Sequence, residues 1–139
     1  MHRFTHYQIF YMKDKRILYV SSEVIPYLPE TEISSMAFEA SRMVNSNKGQ
    51  IRIFMPRYGN INERRHQLHE VIRLSGMNLV INDMDVPLII KVASIPKERM
   101  QVYFIDNEDY FKRKATFEDE AGKLFDDNDE RAIFFAKGV

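Results

Sequence analysis

The chain has 139 residues, 45% of them hydrophobic with ten Phe and seven Tyr, which is enough for one compact domain with a buried core. Twenty basic residues balance twenty acidic ones, which argues against a nucleic-acid binder; the absence of cysteine excludes a disulfide framework, a thiolate zinc site and a cysteine nucleophile. No apolar run approaches the ~20 residues of a membrane helix and the N-terminal MHRFTHYQIFYMKDKR has no signal-peptide core, so no membrane partner is expected and the expected compartment is the cytoplasm.

Residues 1–14 read as an N-terminal extension. Met12, just before KDKRILYV, can serve as the start; the alternative for the preceding segment is an extra edge strand in YQIFY. KRILYVSSE reads as a buried strand running into a polar turn, as a first parallel strand does. A loop follows, and then ISSMAFEASRMVNSNKG has helical spacing, with Met36, Ala37, Ala40, Met43 and Val44 on one face. Ser34 or Ser35 is the expected N-cap, and Asn47 with Gly49 the stop. QIRIFMP is a second strand ended by Pro56. These elements form one β-loop-α-β unit of about forty residues, a length that suits a right-handed parallel crossover.

The middle of the chain changes character. EVIRLSGMNLVIND alternates in part and breaks at Ser75–Gly76, and VPLIIKVASIP follows a turn signal after Asn82. Both read as antiparallel strands, with a hairpin inserted in the sheet. MQVYFIDN is a further strand. From Glu108 to Asp127 the chain is acidic and weakly periodic, and reads as a long loop with a helical turn at EDYF. DNDERAIFFAKG starts a helix, with Asp127 or Asn128 as cap and Asp129 and Glu130 in the first turn. The apolar pattern is still strong where the sequence stops, so the chain is expected to be the N-terminal part of something longer; a short protein with a C-terminal helix is the alternative.

The loop Ser21–Glu32, SSEVIPYLPETE, stands where many α/β proteins bind phosphate, after a first strand and before a first helix. It contains no glycine, two prolines and three glutamates. Other candidates carry less. Asp83-Met84-Asp85 matches an Asp-x-Asp metal motif, but NDMDVP is also good turn chemistry. The carboxylates from Glu118 to Asp129 lack the central glycine and closing glutamate of an EF-hand loop, and His66 with His69 has no third ligand nearby; no metal site is expected. Neither a nucleophile elbow nor a dinucleotide fingerprint is present. Asp106, Asn107 and Tyr110 leave the end of a strand, where open α/β sheets bind ligands, and an aromatic beside amide and carboxylate groups suits a sugar. Equally, the IDN segment can simply cap the EDYF turn.

Four segments resemble one family. KRILYVSSEVIPY is similar to the opening strand and loop of bacterial glycogen synthases and plant starch synthases, which read like KILFVSSEVAPF. IRIFMPRYGNI resembles their second strand and loop (VRVVMPRY), VYFIDNEDYFKR their VYFIDNPEYFDR, and DNDERAIFFAKG their DNAERFAFFSRA. Order and spacing match along residues 15–139, which the resemblance makes a partial N-terminal Rossmann-like domain: α/β, a three-layer sandwich with a mostly parallel sheet, within a two-domain GT-B-type glycosyltransferase. The resemblance implies transfer of glucose from ADP-glucose, or in some members UDP-glucose, to the non-reducing end of an α-1,4-glucan, with retention and without metal or dissociable cofactor. It also implies a facing C-terminal domain absent from this chain, which alone is expected to be inactive. Glu23 and Tyr27 of the loop join Asp106, Asn107 and Tyr110 as candidate sugar or α-glucan contacts.

In that family the loop continues as Lys-Thr-Gly-Gly-Leu, whose lysine and glycine amides approach the donor phosphates. Here the aligned positions are Pro29, Glu30, Thr31 and Glu32, with Ile33 at the leucine. Matching Thr31 to the family threonine puts Glu30 at the lysine instead. Either way a carboxylate replaces the cation, and ~4 Å from a phosphate it repels by ~1 kcal/mol even in bulk water. Ser35 also stands where the family has an aspartate. Donor binding is therefore expected to be weakened, lost or done differently; the alternative is that Arg57 or Lys91 brings the charge from elsewhere. A non-catalytic glucan-binding or regulatory module of the same fold is the second expectation for function.

Overall fold

The computed structural model describes residues 12–139, so the YQIFY edge-strand reading lies outside the described residues. Strand β1 (Arg16–Val20) leads through the loop into helix α1 (Glu32–Ser46) and strand β2 (Gln50–Pro56). A short β3 (His69–Glu70), a 3-10 turn at Ile72–Leu74 and strands β4 (Asn78–Ile81), β5 (Met84–Pro87), β6 (Ile89–Ile95) and β7 (Met100–Asp106) follow. Helices α2 (Glu108–Phe111) and α3 (Asn128–Gly138) close the order.

The five-stranded sheet runs β1-β2-β7-β6-β3. β1 pairs with β2, and β2 with β7, in parallel; β6 pairs antiparallel with both β7 and β3. The expected mostly parallel sheet is thus corrected to a mixed one. The reason is the short link at residues 96–99: β6 turns straight into β7, and so short a turn cannot make a parallel crossover. The middle hairpin is also not inserted in this sheet. β4 and β5 form their own two-stranded sheet, joined through Asn82 and Asp83 with φ of 49° and 59°, the left-handed pair that a tight type I′ hairpin turn requires.

Helix α1 begins one turn earlier than the serines predict, with Thr31 as N-cap. Its buried face also differs. Ser34, Ala37 and Ser41 are buried, whereas Met36 and Met43 are 65% and 60% exposed. Small side chains let the helix lie close to the sheet, where Ile53, Met55, Val102 and Phe104 are all fully buried. The two methionines are too bulky for that contact and lie on the outward side. On the opposite face of β7, Gly138 of α3 packs against Ile105 and Leu88.

At the start of α3, Asp127 holds the N-cap position but makes no cap hydrogen bond, because Arg113 grips its carboxylate through both terminal nitrogens. Gly59, just after β2, is required by packing: a Cβ there would stand 2.0 Å from the Arg113 carbonyl oxygen. The loop after β2 and the segment after α2 therefore touch backbone to backbone.

Candidate functional site

The C-terminal ends of β1, β2 and β7 lie side by side, and two polar constellations grow from them. The first is the β1–α1 loop. Val24, Tyr27 and Leu28 bury themselves and anchor it, with the Tyr27 ring edge-on to Phe104 and to His66. Burial pushes the Tyr27 phenol well above its ordinary pKa, and burial followed by the charge of Arg65 lowers that of His66. The rest of the loop turns back on the helix end. Thr31 Oγ1 accepts from the Ser34 amide at 3.1 Å, and the Thr31 amide donates to Ser34 Oγ at 2.7 Å, a reciprocal capping box. Ser34 Oγ in turn donates to the Pro29 carbonyl.

The Thr31 hydroxyl donates to Glu23 Oε2 at 2.8 Å, which brings that carboxylate to the helix start. Ser35 Oγ reaches Glu30 Oε1 at 3.4 Å, and Glu32 occupies the first turn. The partial positive charge of a helix N-terminus attracts anions. Here the chain supplies them itself, with Glu23, Glu30 and Glu32 gathered around one helix end. Among the described residues no lysine or arginine forms an ion pair with any of the three. Pro29, Glu30, Thr31 and Glu32 are all exposed.

The second constellation holds the cations. Asp106, at the end of β7, is 1% exposed. Arg57 Nη2 lies 2.9 Å from its Oδ1 and Lys91 Nζ 2.9 Å from its Oδ2. The Arg57 contact is an ion pair without hydrogen-bond alignment, since Oδ1 has no aligned donor. Lys91 also donates to Glu63 Oε1 at 2.5 Å, and Arg57 Nε stands 3.5 Å from the same oxygen. Burial alone would lower the Lys91 pKa, but hydrogen bonds to Glu63 and Asp106 raise it above the ordinary lysine value. Arg57 and Lys91, the cations expected as the alternative source of charge for the loop, are thus both paired within this cluster.

The other strand-end candidates have internal partners as well. Asn107 Oδ1 accepts from the Asp109 and Tyr110 amides, capping α2, and its Nδ2 donates to the Pro87 carbonyl. Tyr110 is buried, its hydroxyl 3.1 Å from Glu130 Oε2, and burial aided by that hydrogen bond pushes its pKa up to about 12. The structure therefore brings Glu23 and Thr31 together at the helix end and sets Asp106 among buried charges. Ser34, expected as an N-cap, instead sits at the third helical position and completes the capping box with Thr31, a three-residue spacing that was an available signal. Glu63 went unread, since its polar turn carried no signal.

The metal candidates disperse. Asp83 belongs to the β4–β5 turn and Asp85 to β5. Asp119 Oδ1 accepts from the Ala121 and Lys123 amides, a local turn. Among the described residues no group of three or more His, Asp or Glu is placed to hold a metal ion, and no helix is long and apolar enough to cross a membrane.

The family model for the starch synthase catalytic domain matches residues 16–139. Glycogen synthase of Chlorobium luteolum is 35% identical over 128 residues, covering 91% of this chain and 26% of that protein. Glycogen synthase of Chlorobium limicola is 37% identical over 125 residues, covering 89% and 26%. The chain thus spans about a quarter of the length of these relatives. Among solved structures, the catalytic domain of starch synthase IV from Arabidopsis thaliana, bound to ADP and acarbose, superposes with a TM-score of 0.63 at 12% identity, covering 78% of this chain and 22% of that one. That likeness supports the fold.

Proposed function

The chain belongs to the starch synthase catalytic-domain family, and from that premise we propose that it is the N-terminal Rossmann-like portion of a two-domain, GT-B-type glucosyltransferase whose own donor-phosphate loop is closed. The parent reaction in this reading is transfer of glucose from ADP-glucose to the non-reducing end of an α-1,4-glucan with retention, in the cytoplasm, completed by a facing C-terminal domain. The observation that carries the closed-loop reading is the α1 N-terminus: a capping box, with Glu23 hydrogen-bonded to it and Glu30 and Glu32 beside it. A diphosphate arriving there meets three carboxylates with no cation paired to them among the described residues, and the Ser34 N–H is already taken by the capping box, so the electrostatic attraction that such a site needs is missing.

Of the candidate sugar contacts, Glu23 keeps a partly exposed carboxylate at the loop. Tyr27, Asp106, Asn107 and Tyr110 are buried; in this proposal they shape the floor beneath the α-glucan rather than reach it. The closed loop also favours a second reading, a non-catalytic glucan-binding or regulatory module on the same fold.

Calorimetric titration of the chain with ADP-glucose and, separately, with maltoheptaose tests both. The expected result is no saturable ADP-glucose binding up to about 1 mM, an affinity of only ~4 kcal/mol, and no transfer of labelled glucose to glycogen. Tight ADP-glucose binding or transfer would sink the closed-loop reading. Maltoheptaose binding without nucleotide binding would favour the module.

A further inference from the structure

Four charges meet at the ends of β2 and β7, and they are not held alike. Three are fixed by the sheet. Asp106 ends β7, Arg57 follows β2 with its amide donating to the Ile105 carbonyl at 2.9 Å, and Lys91 lies in β6 opposite Phe104. Glu63 alone comes from outside the sheet, in the connection between β2 and β3. Side-chain exposure follows the same order: 1% for Asp106, 11% for Arg57, 19% for Lys91 and 38% for Glu63. The sheet thus builds a fixed frame of two cations and one carboxylate, with one positive charge in excess. A surface turn supplies the closing charge.

Glu63 closes that frame incompletely. It serves both cations with a single oxygen, Oε1, 2.5 Å from Lys91 Nζ and 3.5 Å from Arg57 Nε. Arg57 Nε still has no hydrogen-bond partner among the described residues. An oxygen standing where Oε1 stands is near both cations, and because Glu63 is more than a third exposed, that place borders solvent. A partly exposed ion pair is weak enough to exchange. Asp106, buried between the same cations, is not. A free anion has no turn to anchor it and can put one oxygen on each cation. Glu70 stands opposite Lys91 in the β3–β6 register but forms no ion pair with it, so it does not take that place. The location also fits a ligand, since open α/β sheets bind at the carboxyl ends of their parallel strands.

We propose that Arg57 and Lys91 form an oxyanion site kept shut by Glu63, whose carboxylate stands in for the carboxylate or phosphate of a small ligand. One excess positive charge suits one anionic group. The site uses none of the residues at the capped helix end and rests on neither reading of the parent reaction.

Backbone amide NMR of the 139-residue chain tests it, with acetate and, separately, inorganic phosphate titrated against chloride at constant ionic strength. The chain with Glu63 intact is expected to respond weakly to both. In Glu63→Ala the vacated place should take at least one of them, saturating in the ~10 mM range, with shifts centred on Arg57, Lys91 and Asp106. That is at least ~10-fold tighter than with Glu63 present, because the tethered competitor is gone. Whichever probe saturates first tells a carboxylate ligand from a phosphate one. Adding Lys91→Met to Glu63→Ala should abolish the binding. Far-UV dichroism checks each fold. Glu63→Gln removes the charge and keeps the side chain's length; it should bind between the two, and is the variant to read where alanine disturbs the turn. No saturation by either probe in the Glu63 variants, equal affinity with Glu63 present, or binding that survives Lys91→Met would each overturn the proposal.

Discussion

The two polar constellations at the strand ends are alike in position and opposite in construction. At the β1–α1 junction carboxylates gather around a helix end whose Ser34 amide is taken by a capping box. At the ends of β2 and β7 the cations Arg57 and Lys91 converge on the buried Asp106, with Glu63 at the rim. A phosphate site needs cations and open amides in one place. Here the cations Arg57 and Lys91 are paired within their own cluster, and carboxylates stand at the helix end instead. A ligand crevice can therefore keep its fold while its usual chemistry is neutralised from within.

The comparison breaks most visibly at Asp106. Asp106→Asn leaves two cations without their shared buried counter-charge, and the expected loss is about 3–5 kcal/mol in urea unfolding. A loss below about 1 kcal/mol would show that the cluster is solvated and no different in kind from the loop.

Alkaline pH probes the buried side next. Burial pushes the Tyr58 pKa up to about 12, opposed by Arg131 and helped by Glu23, and Lys91 is raised by its carboxylate partners. In each case the native state holds its proton more tightly than the unfolded chain. The stabilisation is therefore complete below the unfolded values, ~10 for tyrosine and ~10.4 for lysine, and is lost as pH rises through the folded ones. Stability should fall by about 2 kcal/mol or more between pH 10 and 12, as read by denaturant midpoints. A flat profile there would contradict the burial of these groups.

The loop side should respond more weakly. Thr31→Ala removes half of the capping box and should cost about 1 kcal/mol. Glu23→Gln removes one charge near an exposed helix end, and a few tenths of a kcal/mol is expected, shrinking as salt is added. If Glu23→Gln were as costly as Asp106→Asn, the contrast between an exposed anion cluster and a buried ionic one would fail.

Much of the fold was legible in the residues. ILYV, QIRIFMP and MQVYFIDN are strands because short apolar runs are bounded by charge, proline or a polar turn. The Asn-Asp pair at 82–83 marked a turn, and Asn107 was readable as a cap. Three features were not legible. The buried face of α1 was misassigned because apolar periodicity counts methionines, whereas close packing on the sheet selected Ser34, Ala37 and Ser41. The mixed sheet depended on which strand neighbours β7, and strand spacing alone does not choose that. The pairing of Arg57 and Lys91 with Asp106 joins residues far apart in the chain, so no local pattern announces it.

By itself the sequence determined the family, the element order, and the replacement of a basic, glycine-rich phosphate loop by an acidic one, since these depend on residue types and near neighbours. Only the tertiary structure decided that the helix end is closed by Thr31, Ser34 and Glu23, that the available cations are already paired, and that Glu63 is the most exposed member of their cluster. Hydrogen bonds and ion pairs depend on distance and direction between side chains, and the packing of the sheet sets both.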